Sequence, residues 1–153
     1  MSPERTPIIR RATPKDVPGL VNLLTTLSPQ SKRFFHPHPF DEQTIKQLLK
    51  SPSSDLYFVQ LLDKKIIGYS MLRFFGYPTP SYGCCIRKGY EGKGYGTILT
   101  QWTMRTAKDL GYTRVILKVY NNNQRAINLY TRIGFTQYDT SSQTNELLMD
   151  IQF

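Results

Sequence analysis

Four glycines crowd one short stretch, Gly89, Gly92, Gly94 and Gly96, between an apolar run that ends at Ile86 and an amphipathic segment running through Trp102 to Leu110. Glycines at a strand-to-helix turn let backbone N–H groups converge on one point with no Cβ in the way. The helix that follows adds unpaired donors and partial positive charge at its N-terminus. The guest suited to that geometry is a phosphate or pyrophosphate. Gly92-Lys93-Gly94 lacks the Ser or Thr of a Walker loop, and G-x-G-x-G deep in a short chain is not the G-x-G-x-x-G of a dinucleotide fold.

A second cluster follows at Val119-Tyr120-Asn121-Asn122-Asn123 and continues through Gln124 to Gly134-Phe135. Taken residue by residue, it has a plain reading. Ala126, Ile127, Leu129 and Ile133 form one helix face, Asn123 is an N-cap, Gly134 a C-cap and Phe135 a core residue. Tyr130 is then a core aromatic with its hydroxyl tied to backbone. In the other reading Asn123 and Tyr130 direct an amide and a phenol at a ligand.

The elements that must position these groups can be read from periodicity. Ile8 to Ala12 reads as a strand, and Thr13 or Asp16 caps a helix carrying Val17, Leu20, Val21, Leu24 and Leu27 on one face. Ser28 to Phe40 reads as a loop, Asp41 caps a helix with Ile45, Leu48 and Leu49 inward, and Ser51-Pro52-Ser53-Ser54 ends it. Leu56–Leu62 and Ile66–Phe75 form a hairpin across Asp63-Lys64-Lys65, and Ser81–Ile86 is the strand entering the glycine loop. After the loop helix come a strand over Thr113–Val119, a helix over Gln124–Ile133, and two closing strands at Phe135–Tyr138 and Glu146–Gln152. The order is β-α-α-β-β-β-α-β-α-β-β: an α+β fold on a mixed, mostly antiparallel sheet of about seven strands flanked by four helices.

The 153 residues suit a single domain over 1–153, and 39% apolar with 20% charged residues is ordinary for a globular chain. No apolar run approaches the ~20 residues of a membrane span, and Met1 to Arg11 carries no signal-peptide core, so a cytoplasmic chain with no membrane partner is expected. The net charge of +9 favours anionic partners. No Arg/Lys run exceeds two residues and no nucleic-acid motif appears, so nucleic acid is not an expected partner. Cys84 and Cys85 are adjacent, point to opposite faces of a strand and lack metal-ligand spacing, so neither a disulfide nor a metal site is expected.

Glu91-Gly92-Lys93-Gly94-Tyr95-Gly96 resembles the acetyl-CoA loop of the GCN5-related N-acetyltransferases (GNAT), (Gln/Arg)-x-x-Gly-x-(Gly/Ala), departing only where Glu91 replaces Gln or Arg. The second cluster resembles that family's other cofactor motif at Val119, Asn123, Ala126, Leu129, Tyr130, Gly134 and Phe135, and the element order matches end to end. The resemblance implies an enzyme that transfers acetyl from acetyl-CoA to a primary amine by direct attack on the thioester. It implies that pantetheine pairs with the backbone of Cys84, Cys85 and Ile86 between two splayed strands. Pyrophosphate would sit on the amides of Gly92, Lys93, Gly94, Tyr95, Gly96 and Thr97. Asn123 would bond the pantetheine arm and Tyr130 would protonate the leaving sulfur. Glu91 is expected to face outward, with Arg87, Lys88 and Lys93 supplying the positive field.

In such a fold the loop between the first two helices walls the acceptor site. Phe35, His36, His38 and Tyr82 are therefore the candidate substrate contacts, and Tyr82, His36, His38 or a water chain the candidate bases. The same loop, through Phe34, Phe35 and Phe40, could equally be stapled into the core. Lys118 stands where relatives acetylating ribosomal-protein N-termini carry Glu, which counts against that subfamily. Three functions stay open: acetylation of a small amine, among which an amino sugar suits the aromatic loop; acetylation of a protein N-terminus or lysine; and acyl-CoA binding without catalysis. Homodimers are common in the family.

Overall fold

Strands rich in Val, Ile, Tyr and Phe assemble one seven-stranded sheet, seen in a computed structural model that describes residues 6–51 and 53–153. In chain order the elements are β1 (Ile8–Arg11), a 3₁₀ turn (Pro14–Asp16), α1 (Val17–Thr25), α2 (Pro29–Phe34), α3 (Glu42–Lys50), β2 (Leu56–Leu62) and β3 (Lys65–Arg73). Then follow β4 (Ser81–Ile86), α4 (Tyr95–Asp109), β5 (Arg114–Tyr120), α5 (Gln124–Ile133), β6 (Thr136–Ser141) and β7 (Glu146–Gln152). The strands lie in the order β1-β2-β3-β4-β5-β7-β6. Every pairing is antiparallel except β4 with β5.

Helices cover both faces of the sheet. On one side α1 and α3 bury Leu20, Leu23, Leu24 and Ile45 against Val59, Tyr69 and Met71. On the other, α4 and α5 bury Met104, Ala107 and Tyr130 against Val115, Leu117, Val119 and Phe135. With both faces covered, β3 is buried continuously from Ile66 to Leu72, while β5 alternates and turns Ile116, Lys118 and Tyr120 away from the α4–α5 side.

The helix count is five rather than the expected four, because the stretch read as a loop from Ser28 to Phe40 begins with α2. Ser28 caps it, its Oγ accepting the Ser31 N–H at 3.1 Å, with Pro29 in the first turn. Its six residues bury no side chain fully, so no apolar period marked it. At the other caps Asp41 accepts the Thr44 N–H at 3.0 Å, and Asp16 is held by Arg10 at 2.8 and 2.9 Å. Residues 1–5 and Pro52 lie outside the described residues, so the expectations resting on them stand apart from this fold. No helix among the described residues is long and apolar enough to cross a membrane.

Candidate active site

Parallel strands need a crossover and a matched twist to stay paired, and β4 and β5 do so only at their start. Ser81 opposite Ile116 is their single aligned pair, beside the 3.0 Å bond from the Ile116 N–H to the Pro80 carbonyl. Beyond it the strands diverge while β4 remains bonded to β3 as far as Ile86. The second edge of β4 therefore presents backbone donors and acceptors to a cavity of about 440 Å³ that opens between the strands.

The glycine loop and the start of α4 close one end of that cavity. Gly94 is the N-cap of α4 at φ +91°, in the left-handed region, and no side chain caps the helix. The first helical bond runs from the Ile98 N–H to the Gly94 carbonyl at 3.1 Å, so the N–H groups of Tyr95, Gly96 and Thr97 have no intrahelical acceptor. Gly92, at φ +73°, has open space where a Cβ would stand. The buried Gln60 braces this junction from β2, donating Nε2 to the Tyr95 carbonyl at 3.1 Å. A Cβ at Gly68 on β3 would collide with the Gln60 side chain, which is why glycine stands there.

The charges around the loop differ from expectation at two residues. Arg87 is 7% exposed and donates Nε to the Ile66 carbonyl and Nη1 to Asn22 Oδ1, both at 2.7 Å. It ties the end of β4 to β3 and α1 instead of supplying an open positive field. Glu91 does not face outward: it lines the cavity and pairs with Arg125 of α5 at 3.7 Å. Arg125 is therefore the cation that pairs with the loop carboxylate.

Helix α5 brings the polar groups of the second motif to the same space. Asn123 is its N-cap, Oδ1 receiving the Ala126 N–H at 3.4 Å, and it also lines the cavity, so one amide serves the helix and faces the opening. Tyr130 is 8% exposed and packs edge-on to Tyr82 and Phe135. Its hydroxyl lies 3.6 Å from Cys84 Sγ. Burial first, and the neighbouring Cys84 second, push the Tyr130 phenol well above its ordinary range, which keeps it protonated. Cys84 and Cys85 are free thiols on opposite faces, Cys85 buried in the α1–α3 core and Cys84 half-buried beside Tyr130.

The far wall comes from α2 and the segment after it. Phe35 lines the cavity and also stacks on Phe40 and meets Tyr69 edge-on, so it is both wall and staple. His36 is exposed, with Nε2 3.0 Å from the hydroxyl of Tyr120, a cavity residue at the end of β5 against which Phe34 packs. His38 is not among the lining residues. Its Nδ1 is 2.8 Å from the Pro39 carbonyl and its Nε2 3.0 Å from the Tyr69 hydroxyl, a structural staple with both nitrogens engaged. Tyr82 reaches the lining, but its hydroxyl is bonded to Thr100 Oγ1 at 2.8 Å on the α4 side, away from α2. That geometry removes it as a free base.

Of the residues expected to meet cofactor, Cys84, Cys85, Ile86, Gly92, Gly94, Gly96, Thr97, Asn123 and Tyr130 line this one cavity, whereas Lys93 and Tyr95 do not. Residue-by-residue reading passed over Tyr120 and Arg125, and weighed Phe34 only as a core staple of the aromatic loop. The alternation of β5 was the available signal for Tyr120, because burying Val119 leaves Lys118 and Tyr120 on the other face.

The acetyltransferase (GNAT) family model matches residues 20–135. A mycothiol acetyltransferase of Parafrankia sp. is 43% identical over 47 residues, 31% of this chain and 15% of that protein. An N-alpha-acetyltransferase 30 of Schizosaccharomyces pombe is 36% identical over 53 residues, 35% of each chain. The matched part of this chain thus spans well under half the length of either relative. Among solved structures, the PaiA N-acetyltransferase of Thermoplasma acidophilum in complex with coenzyme A superposes with a TM-score of 0.81 at 15% identity, covering 97% of this chain and 99% of that one. With its loop, its diverging strands and its tyrosine on one cavity, this chain belongs to the GNAT acetyltransferase family, whose acyl donor is acetyl-CoA.

Proposed function

We propose that the protein is an acetyl-CoA-dependent N-acetyltransferase acting on a primary amine of a small molecule, with Tyr130 as general acid. The observation that carries the reading is the buried, protonated Tyr130 hydroxyl beside the unpaired edge of β4. The residues suit the cosubstrate: an uncapped helix start for a diphosphate, a free strand edge for an amide-bearing arm, and a phenol on the same cavity that would donate to the thioester sulfur. When bound, acetyl-CoA supplies the acyl group and the sulfur leaving group. Tyr130 then holds a proton at Oη for that sulfur, Asn123 offers its amide, and the amides of Gly92 to Thr97 take the negative charge. Tyr120, bonded to the exposed His36, gives the proton shed by the amine a route to water.

The two sequence relatives bear names that point to different acceptors, and neither match reaches beyond about a third of this chain. The aromatic wall of Phe34 and Phe35 supports a small ring-bearing amine over a peptide. The test is release of free coenzyme A from acetyl-CoA with amino sugars, amino acids, polyamines and N-terminal peptides, alongside direct titration of acetyl-CoA. Acceptor-dependent release by small amines is expected; failure to bind acetyl-CoA would overturn the reading, and release with peptides alone would move it to protein acceptors.

A further inference from the structure

The cavity is charged unevenly along its length. Glu91 is its one lining carboxylate among the described residues, and it sits in the glycine loop opposite Arg125. At the other end, near the vertex where β4 and β5 meet, Lys118 lines the cavity from the β5 face that Tyr120 shares. Among the described residues no carboxylate lies within ion-pair distance of Lys118. Its cross-strand partner on β7 is Leu148, which brings no charge.

The diphosphate does not need this cation. The pairing of Ser81 with Ile116 puts Lys118 level with Gly83, three residues before the end of β4 at Ile86. That is roughly 10 Å of strand short of the glycine loop. Lys118 instead shares the cavity with Cys84 and Tyr130, entering it from the β5 face opposite to the one that packs on α4 and α5. An unpaired ammonium on the wall of this cavity acts on whatever amine arrives there. It repels a simple cationic amine, and it lowers the pKa of any ammonium near it, which favours the neutral nucleophile. Only an acceptor that carries its own negative group gains in binding from the same charge.

We infer that the acceptor is a small primary amine bearing an anionic substituent, a carboxylate or a phosphate, held by Lys118. This rests on the N-acetyltransferase reading above and names its substrate class. Lys118 acts here as a specificity determinant.

The experiment compares matched acceptors with purified protein and acetyl-CoA. One arm pairs α-amino acids with their amides, and a second pairs amino-sugar phosphates with the free amino sugars. The two arms distinguish a carboxylate from a phosphate. In at least one arm the anionic member should be favoured in kcat/KM by roughly tenfold or more, about the difference that 1.4 kcal/mol makes. K118R should keep that ratio, K118A should bring it near one, and K118E should invert it, while acetyl-CoA titrates alike in all. Intact acetyl-CoA binding with both members of every pair used equally, or equally ignored, would overturn the inference and leave the enzyme class standing. An unchanged ratio in K118E, or an N-terminal peptide preferred over every small amine, would also overturn it. Absence of acetyl-CoA binding would instead sink the underlying reading.

Discussion

The two halves of the cavity are built from different material. The donor half is made of backbone: a strand edge on β4, a left-handed glycine at the start of α4, and the first-turn amides behind it. The proposed acceptor half is made of side chains, Phe34, Phe35, Lys118 and Tyr120, delivered by segments far apart in sequence, with Phe34 packed on Tyr120 and Phe35 on Phe40. Backbone groups recognise a diphosphate or an amide without help from side-chain identity, provided glycines keep the approach open. Side chains can be exchanged without altering the sheet, so that half is where specificity can be set independently of the fold.

Tyr130 stands where the halves meet, and its loss separates them most sharply. Tyr130→Phe keeps the ring against Tyr82 and Phe135 and removes the hydroxyl 3.6 Å from Cys84 Sγ. Turnover should fall by about 10²–10⁴-fold, the usual worth of a positioned acid. Acetyl-CoA affinity, which rests on the backbone half, should change little. Because burial raises the phenol well above its ordinary range, the wild type should show no loss of this acid through neutral pH, with any decline confined to the alkaline side. Turnover in the variant within a few-fold of wild type would place the acid elsewhere.

The donor half can be tested with a matched pair of glycines. Gly94 and Gly76 both have positive φ, +91° and +83°, with open space at the Cβ position. Alanine at either should cost about 1 kcal/mol of stability from the left-handed backbone. Only Gly94→Ala also shifts the amides at the start of α4, so only there should the KM for acetyl-CoA rise, by roughly tenfold. Equal KM changes in the two variants would mean that the loop does not seat the diphosphate.

Glu91→Gln is a smaller perturbation of the same half. The carboxylate lies on the cavity, offset by an Arg125 that is 73% exposed, so its repulsion of a diphosphate is only partly cancelled. Removing it also frees Arg125 to meet the diphosphate. Acetyl-CoA should bind tighter by up to about fivefold, within the range of an exposed charge pair. Titration in low and moderate salt checks this, since the gain should shrink as salt rises. Weaker binding would show that Glu91 has a positive role in the loop.

This division also explains what could be read from the chain alone. Gly94 as a turn glycine, Asn123 as an N-cap and Tyr130 on the packed face of a ten-residue helix are legible because each sits in a local element whose geometry its own neighbours state. The proposed roles of Asn123 and Tyr130 toward a ligand come instead from the family resemblance. The acceptor half offers no such local statement. His36 and Tyr120 bond across 84 positions, and nothing near either one announces the other. Arg87 reads as an open cation in a run with Lys88, yet the Ile66 carbonyl and Asn22 that bury it belong to distant elements. Helix α2 escaped for a related reason: it is anchored by its cap and by Phe34 at its end, without an apolar stripe.

His38 gives the smallest effect and the one that belongs wholly to the acceptor half. Its contact with the Pro39 carbonyl requires the proton on Nδ1, so Nε2 accepts from the Tyr69 hydroxyl in the neutral ring. Burial lowers its pKa, as does Arg73; the Pro39 bond and Asp41 raise it without reversing the direction. The folded protein therefore binds this proton less readily than the unfolded chain, whose imidazole titrates near 6.5. Above that pH the staple contributes fully, and stability falls as the pH drops below it toward the lower folded pKa. On protonation Nε2 becomes a donor, and the Tyr69 hydroxyl must turn away from it in a buried site. Chemical denaturation at pH 8 and pH 5.5 should show a smaller pH dependence in His38→Gln than in the wild type, with lower stability at pH 8. Acetyl-CoA affinity should be the same in both proteins at pH 8, because the staple holds the wall that side chains build and not the one built by backbone. Equal pH dependence in the two would assign the titration to another group, and a change in acetyl-CoA affinity would show that the two halves are mechanically coupled.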